Sequence, residues 1–226
     1  MLVIGHRGAP SIKEENTLDS FQEALNHNVD GIELDVQLSQ DHKLIVLHDL
    51  HTHKLNGKHD LIRNYSFNEL KKLNYQIPVL EEILKIMPLH KELHIEIKSN
   101  QINNDVLITK IYNLLSKYTL EEQTILSSFN PFVLSTLKQF SNSIRVGLLW
   151  TQCPKEPWFI THYSYYKIKP YSFHASIKYM NKEMVEWAKK HNMKLYYYTI
   201  NNTQSLKKAE ALYADGIFSD YPNILD

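Results

Sequence analysis

Cysteine is almost absent from this chain. Cys153 stands alone among 226 residues, which excludes an intramolecular disulfide and a cysteine-based zinc cluster, and the lone thiol reads as an ordinary surface or core residue. An excess of charge of either sign is missing too. Lysine plus arginine total 25 and aspartate plus glutamate total 25, so no global field draws the protein to nucleic acid or to an anionic membrane. Any anion recognition has to be local. No basic segment followed by an apolar helix-length run opens the chain, and no apolar stretch is long enough to cross a bilayer. A cytoplasmic protein without stable membrane insertion is therefore expected. No internal repeat or low-complexity linker divides the sequence, which is 43% hydrophobic and 22% charged, so a single domain over 1–226 is expected.

What is present is an alternation. Short β-branched or apolar runs recur at 2–5, 31–36, 44–47, 93–97, 124–127, 145–150, 172–174, 195–200 and 216–219. Many are followed by segments of helical spacing, at 17–26, 79–86, 105–118, 131–139, 181–191 and 203–212, several with Ser, Thr, Asp or Asn in capping position. Strand followed by helix, repeated, predicts an α/β fold with a parallel sheet, and the strand count predicts a closed (β/α)₈ barrel. One place breaks the rhythm. In "LDVQLSQDHKLIVLHD" the connection 39–43 is too short for a parallel crossover, so this is a hairpin and one of the nine strands is an extra. Residues 50–76 then read as a polar, turn-rich insertion centred on Asn56-Gly57.

In such a barrel, polar residues at the C-terminal ends of strands face the site. The first strand delivers His6 and Arg7, the second Glu33 and Asp35, the third His48 and Asp49, the fourth Glu96 and Lys98. Period-two alternation puts Glu33 and Asp35 on one face, and Glu96 and Lys98 likewise. A single carboxylate at a strand end is often a turn cap or half of an ion pair. Three converging on one mouth repel one another unless a cation joins them. Oxygen donors favour a divalent ion such as Ca²⁺ or Mg²⁺ over zinc, and three of them leave positions open for water and substrate.

The histidines divide by position. His51, His53, His59, His90 and His191 fall in loops or at helix ends and read as solvated. His94 shares a face with Glu96 if its strand is regular, which leaves a place in the lumen open. His6 and His48 each terminate an apolar run, where a pair of imidazoles beside a phosphate can serve as general base and general acid. Arg7 and Lys98 would add a planar fork and a point charge for phosphate oxygens. Gly5 and Gly8 would let the chain turn tightly there and leave room for an anion.

The segments "GHRGAPSIKEENTLDSFQEAL", "DGIELDVQLSQDHKLIVLHD", "IPVLEEIL", "LHIEIKS", "LSSFNP", "YYTINN" and "DGIFSDYP", in this order over essentially the whole chain, resemble the glycerophosphodiester phosphodiesterase family. The resemblance implies a metal-dependent (β/α)₈ barrel that hydrolyses small glycerophosphodiesters, such as glycerophosphocholine and glycerophosphoethanolamine, to glycerol 3-phosphate and an alcohol. It implies that His6 and His48 are the acid and base pair, that Glu33, Asp35 and Glu96 hold one divalent metal ion, Ca²⁺ or Mg²⁺, and that Arg7 and Lys98 contact phosphate. Asn16 falls where the family keeps a polar residue near the site, and Tyr198 replaces the aromatic residue of the family's "WTVN". The loop after the HD motif departs from the family pattern: it runs "HDLHTHKLNGK", without the usual Pro and Leu-Asp-Arg segment, and headgroup preference is expected to follow that loop. Tyr163, Tyr165 and Tyr166 form an aromatic cluster that either walls the pocket, where it would suit a choline cation, or packs on the barrel rim. Competing readings are a phospholipase-type phosphodiesterase acting on lyso or intact lipids, which needs an apolar rim, a barrel kept only for binding, and a nuclease, which needs an electropositive path.

Overall fold

The computed structural model describes residues 1–27, 29–141, 143–151 and 166–225. Cys153, Tyr163 and Tyr165 lie outside these residues. Among the described residues nine strands form: β1 (Leu2–His6), β2 (Gly31–Leu38), β3 (Leu44–Val46), β4 (Glu92–Ile97), β5 (Thr124–Ser128), β6 (Arg145–Trp150), β7 (Ser172–Ser176), β8 (Lys194–Tyr198) and β9 (Gly216–Ser219). Eight of them run parallel in the order β1-β9-β8-β7-β6-β5-β4-β2, and pairing of Ile4 with Gly31 and His6 with Glu33 closes the barrel between β1 and β2. The extra strand is β3, antiparallel to β2 through Val36 opposite Val46 and Leu38 opposite Leu44, as the short 39–43 connection demands.

Helices cover the outside at Leu18–Asn26, Leu80–Leu84, Asp105–Tyr118, Pro131–Phe140, Lys182–Lys190 and Thr203–Ala211. Side-chain caps start several of them: Thr17 accepts from Ser20 N, Asn130 from Phe132 N, Asn181 from Met184 N and Asn202 from Ser205 N. The helix expected over 79–86 contracts to Leu80–Leu84 because its last turn tightens, Ile86 N donating to Ile83 O and Met87 N to Leu84 O ahead of Pro88. Among the described residues no helix is long and apolar enough to cross a membrane.

Alternation along the strands makes two interiors. Ile32, Leu34 and Val36 of β2 and Leu93, Ile95 and Ile97 of β4 turn outward into the main apolar cluster with Phe21, Ala24 and Leu107. Inside the lumen a second cluster of Ile4, Ile125, Tyr196 and Phe218 fills the floor. The 50–76 insertion is more ordered than its polar composition suggests. A helix at Phe67–Leu73 starts from a capping box between Ser66 and Glu69, and Ile62, Leu70 and Ile77 bury a separate small core against Ile45 of β3. The hairpin strand is thus the wall on which the insertion rests.

Candidate active site

The polar ends of the first four strands meet at one mouth of the barrel. Glu33, Asp35 and Glu96 present oxygens that lie within 4.8 Å of one another. Asp35 is the node. Its Oδ1 lies 3.2 Å from Lys98 Nζ and its Oδ2 3.3 Å from Arg7 Nε, while Asn16 Nδ2 donates to Oδ2 at 2.8 Å. Lys98 also reaches Glu96 Oε1 at 2.5 Å. Burial acts on all three acids, with different results. Burial, reinforced by the charge on Asp35, pushes Glu33 up to about 7. Burial raises Glu96 as well, outweighing Lys98. Burial pushes Asp35 the same way, but Lys98 and Arg7 overcome it and hold Asp35 below the ordinary carboxylate value. The trio is therefore compensated on one side only.

The two expected histidines flank this trio, each paired through Nδ1 with a carboxylate of its own. His6 Nδ1 lies 2.7 Å from Asp220 Oδ1, and His48 Nδ1 lies 2.6 Å from Asp49 Oδ1. Burial works to lower both, and the outcomes diverge. For His6 the hydrogen bond to Asp220 and the charge of Glu33 prevail and raise it above the usual imidazole value. For His48 burial prevails, aided by Lys98 and Arg7, and lowers it.

Backbone geometry explains how β1 turns its end into a site. Arg7 and Asn16 both adopt left-handed conformations, at φ 55° and 58°, and are tied by Asn16 N donating to Arg7 O at 3.0 Å. Non-glycine residues there carry strain. Arg7 N is thereby aimed at Glu33 Oε2, 3.0 Å away. Gly8 has φ 91°, so the tight turn expected of it is present. The space expected for an anion is not: a side chain at Gly8 would collide with Ser20, and one at Gly5 would lie 2.6 Å from Gly8 O. These glycines let the loop pack on the helix Leu18–Asn26.

His6, Arg7, Glu33, His48, Glu96 and Lys98 line one cavity of about 280 Å³, walled on the far side by Phe129, Leu149 and Tyr198. Nη1 of Arg7 donates to Glu15 at 2.9 Å, so part of its fork is held by protein carboxylates. The Tyr198 hydroxyl donates to Trp150 O at 2.7 Å, leaving the ring as its contribution to the wall. A second cavity of about 430 Å³ shares His48 and opens between the insertion and the first loop, past Glu15, Asp49, His51, Lys54 and Tyr75. His53 stacks on His59 at 4.6 Å. Tyr166 stands exposed beside His191, with ring centroids 6.4 Å apart, on the barrel's outer side with the helix Lys182–Lys190.

Sequence reasoning missed four participants. Asp220 and Asn201 lie in "DGIFSDYP" and "YYTINN", which carry the family resemblance without pointing to His6. Glu15 is hidden in a loop, and His174 ends a run read only as a strand. His94, whose place was open, is in the lumen, fully buried on the floor with Nε2 2.9 Å from Glu92.

Comparison with known proteins agrees over the whole length. The model of the glycerophosphoryl diester phosphodiesterase family matches residues 6–224. A glycerophosphodiester phosphodiesterase of Caldanaerobacter subterraneus is 31% identical, covering 99% of this chain and 96% of its own. The crystal structure of a glycerophosphodiester phosphodiesterase from Thermotoga maritima superposes with a TM-score of 0.83 at 27% identity, covering 100% of this chain and 96% of that one. A phosphodiesterase of Oleispira antarctica, solved with the product sn-glycerol-3-phosphate, gives a TM-score of 0.83 at 25% identity, covering 98% and 94%.

Proposed function

We propose, from the premise that the chain belongs to the glycerophosphoryl diester phosphodiesterase family, that it is an enzyme hydrolysing small glycerophosphodiesters to glycerol 3-phosphate and a free alcohol with a divalent metal ion and two histidines. The observation that carries this reading is one cavity lined by two imidazoles, two cations, Glu33 and Glu96, with Asp35 buried behind them and the three acids' oxygens within 4.8 Å of one another. The product bound to the Oleispira relative supports glycerol 3-phosphate as the moiety released.

The acidic trio fits a divalent cation. Asp35 Oδ1 and Glu96 Oε1 already converge on one positive charge, Lys98 Nζ, at 3.2 and 2.5 Å, the three acids present oxygens within 4.8 Å of one another, and hard oxygen donors suit Ca²⁺ or Mg²⁺. Glu33 would be the third ligand. Such an ion supplies electrophilic neutralisation of charge on the phosphoryl oxygens. The chain's own residues do the remainder. Lys98 holds the phosphate by charge, and Arg7 does so with the nitrogen its carboxylate partners leave over. One histidine takes the proton of a glycerol hydroxyl as its oxygen bonds to phosphorus. The other gives a proton to the departing alcohol oxygen as its bond to phosphorus breaks. Water then opens the cyclic phosphate with the two proton transfers reversed. The Tyr198 ring and Phe129 wall the cavity and exclude solvent.

The test is a panel of glycerophosphodiesters with choline, ethanolamine and other headgroups, incubated with and without chelator, reading glycerol 3-phosphate released. Release on at least one headgroup that stops with chelator and returns with Ca²⁺ or Mg²⁺ is expected. Turnover that ignores chelator overturns the metal-dependent reading, and no release on any headgroup overturns the substrate class. Phosphorus NMR during turnover should show a transient cyclic glycerol phosphate.

A further inference from the structure

We propose that Asp220, clamped by Asn201, is a positioning residue that fixes the ring orientation and the Nδ1–H tautomer of His6. This rests on the reading of His6 as a proton-transfer group. A carboxylate can only accept here, so the 2.7 Å contact between His6 Nδ1 and Asp220 Oδ1 requires Nδ1 to carry the hydrogen. Nε2, on the opposite edge of the ring, is then the atom left for the cavity that His6 lines. In the neutral ring it bears the lone pair, and in the protonated ring it donates. Both uses need the same tautomer.

The clamp is what separates this pair from an incidental contact. Asn201 Nδ2 donates to Asp220 Oδ2 at 2.5 Å, and Asn201 Oδ1 accepts from Asp220 N at 3.0 Å. The two ends of one amide therefore read the side chain and the backbone of the same residue. Unlike partners at each end fix the amide orientation, and rotating the Asp220 carboxylate away from His6 would break its bond to Asn201 as well. The carbonyl of Asp220 accepts from Ser11 N at 3.1 Å, which ties this turn to the loop that follows Arg7. Barrel closure makes the assembly possible, since β9 delivers Asp220 beside β1 and His6. The carboxylate behind His48 is held differently. Asp49 has its second oxygen 3.2 Å from the largely exposed Lys54, a long side chain with more freedom than an amide.

Kinetics and histidine NMR on the full chain test this. Asp220→Asn keeps the shape and offers an amide nitrogen that can donate to Nδ1. It is expected to lower kcat about 100-fold or more, with KM changed less than about threefold and melting temperature near wild type. In nitrogen-15 histidine spectra the wild type should show a protonated Nδ1 for neutral His6, and Asp220→Asn should lose that single tautomer. Asn201→Ala, which leaves the carboxylate in place but unclamped, is expected to lose about tenfold in kcat. It carries the test if Asp220→Asn does not fold. Wild-type kcat with an unchanged Nδ1–H signal in these variants, alongside an inactive His6→Ala, overturns the positioning role alone. Full activity in His6→Ala overturns the reading of His6 and this inference with it.

Discussion

The two ends of the barrel lumen use the same residue types and treat them in opposite ways. On the floor, His94 Nε2 lies 2.9 Å from Glu92, which also accepts from the Tyr196 hydroxyl at 2.9 Å, and His174 Nε2 lies 2.9 Å from Ser172 Oγ. The rings of His94, His174, Tyr196 and Phe218 pack with centroids 4.9 to 5.8 Å apart. Burial there keeps both histidines below the ordinary imidazole value. Two residues further along β4, Glu96 joins Glu33 and Asp35 at the mouth, where carboxylates crowd within 4.8 Å and two of their oxygens share one ammonium, Lys98 Nζ. On the floor the histidines stay neutral, and Glu92, which burial pushes up, is held below its ordinary value by His94 and Tyr196, so the packed and partnered groups stabilise. Mouth groups are charged and in conflict, and such local conflict in an otherwise consistent fold marks function.

The sharpest way to break this contrast is Glu33→Gln. The amide oxygen can still accept from Arg7 N, but a buried negative charge facing Asp35 is gone. Activity is expected to fall about 100-fold or more, while stability measured by denaturant in chelator rises by about 1–3 kcal/mol. A loss of stability instead would show that the mouth carries no excess charge. The opposite pattern is expected on the floor. A Cβ at Gly147 would lie 2.7 Å from Cε1 of His174, so Gly147→Ala should cost about 1–3 kcal/mol by overpacking and leave kcat within about threefold. A denaturation midpoint equal to wild type would mean the floor is loosely packed.

The contrast also sorts what could be read without coordinates. Glu33 and Asp35 were legible as a pair because strand period forces residues two apart onto one face, and the hairpin because a short connection cannot cross over. Both are local rules. Asp220 was not legible as the partner of His6, since the contact spans 214 positions and exists only because β9 closes against β1. The left-handed backbone at Arg7 was hidden for another reason: arginine does not advertise positive φ, asparagine at 16 does so only as a tendency, and the tie between them forms only when the loop folds back. Helix Phe67–Leu73 escaped because its small core takes Ile45 from another element, so the insertion by itself looked merely polar. His94 remained open until the opposite wall, with His174 and Phe218, showed how deep it sits.

Two smaller effects sharpen the boundary between floor and mouth. His174 is packed against Ser172, His94, Tyr196, Phe218 and Gly147, and burial followed by the charge of His94 holds it well below its ordinary value of 6.5. The unfolded chain therefore binds a proton that the folded one refuses. Stability contributed by this group is complete above about pH 6.5 and is lost progressively as pH falls below it. Denaturation midpoints taken from pH 7.5 down to 5 should show a shallower acid decline in His174→Asn than in wild type, and parallel curves would remove His174 from the acid response.

Tyr198 lies at the boundary, with its ring on the cavity wall and its hydroxyl turned to Trp150 O. Tyr198→Phe keeps the wall and deletes that donor, leaving one buried carbonyl with a partner fewer. The expected cost is about 1 kcal/mol in stability, with KM for the preferred glycerophosphodiester within about twofold of wild type. A rise in KM of about tenfold or more would mean that the hydroxyl turns to the substrate when substrate is bound. Tyr198 would then belong to the mouth by chemistry as well as by position.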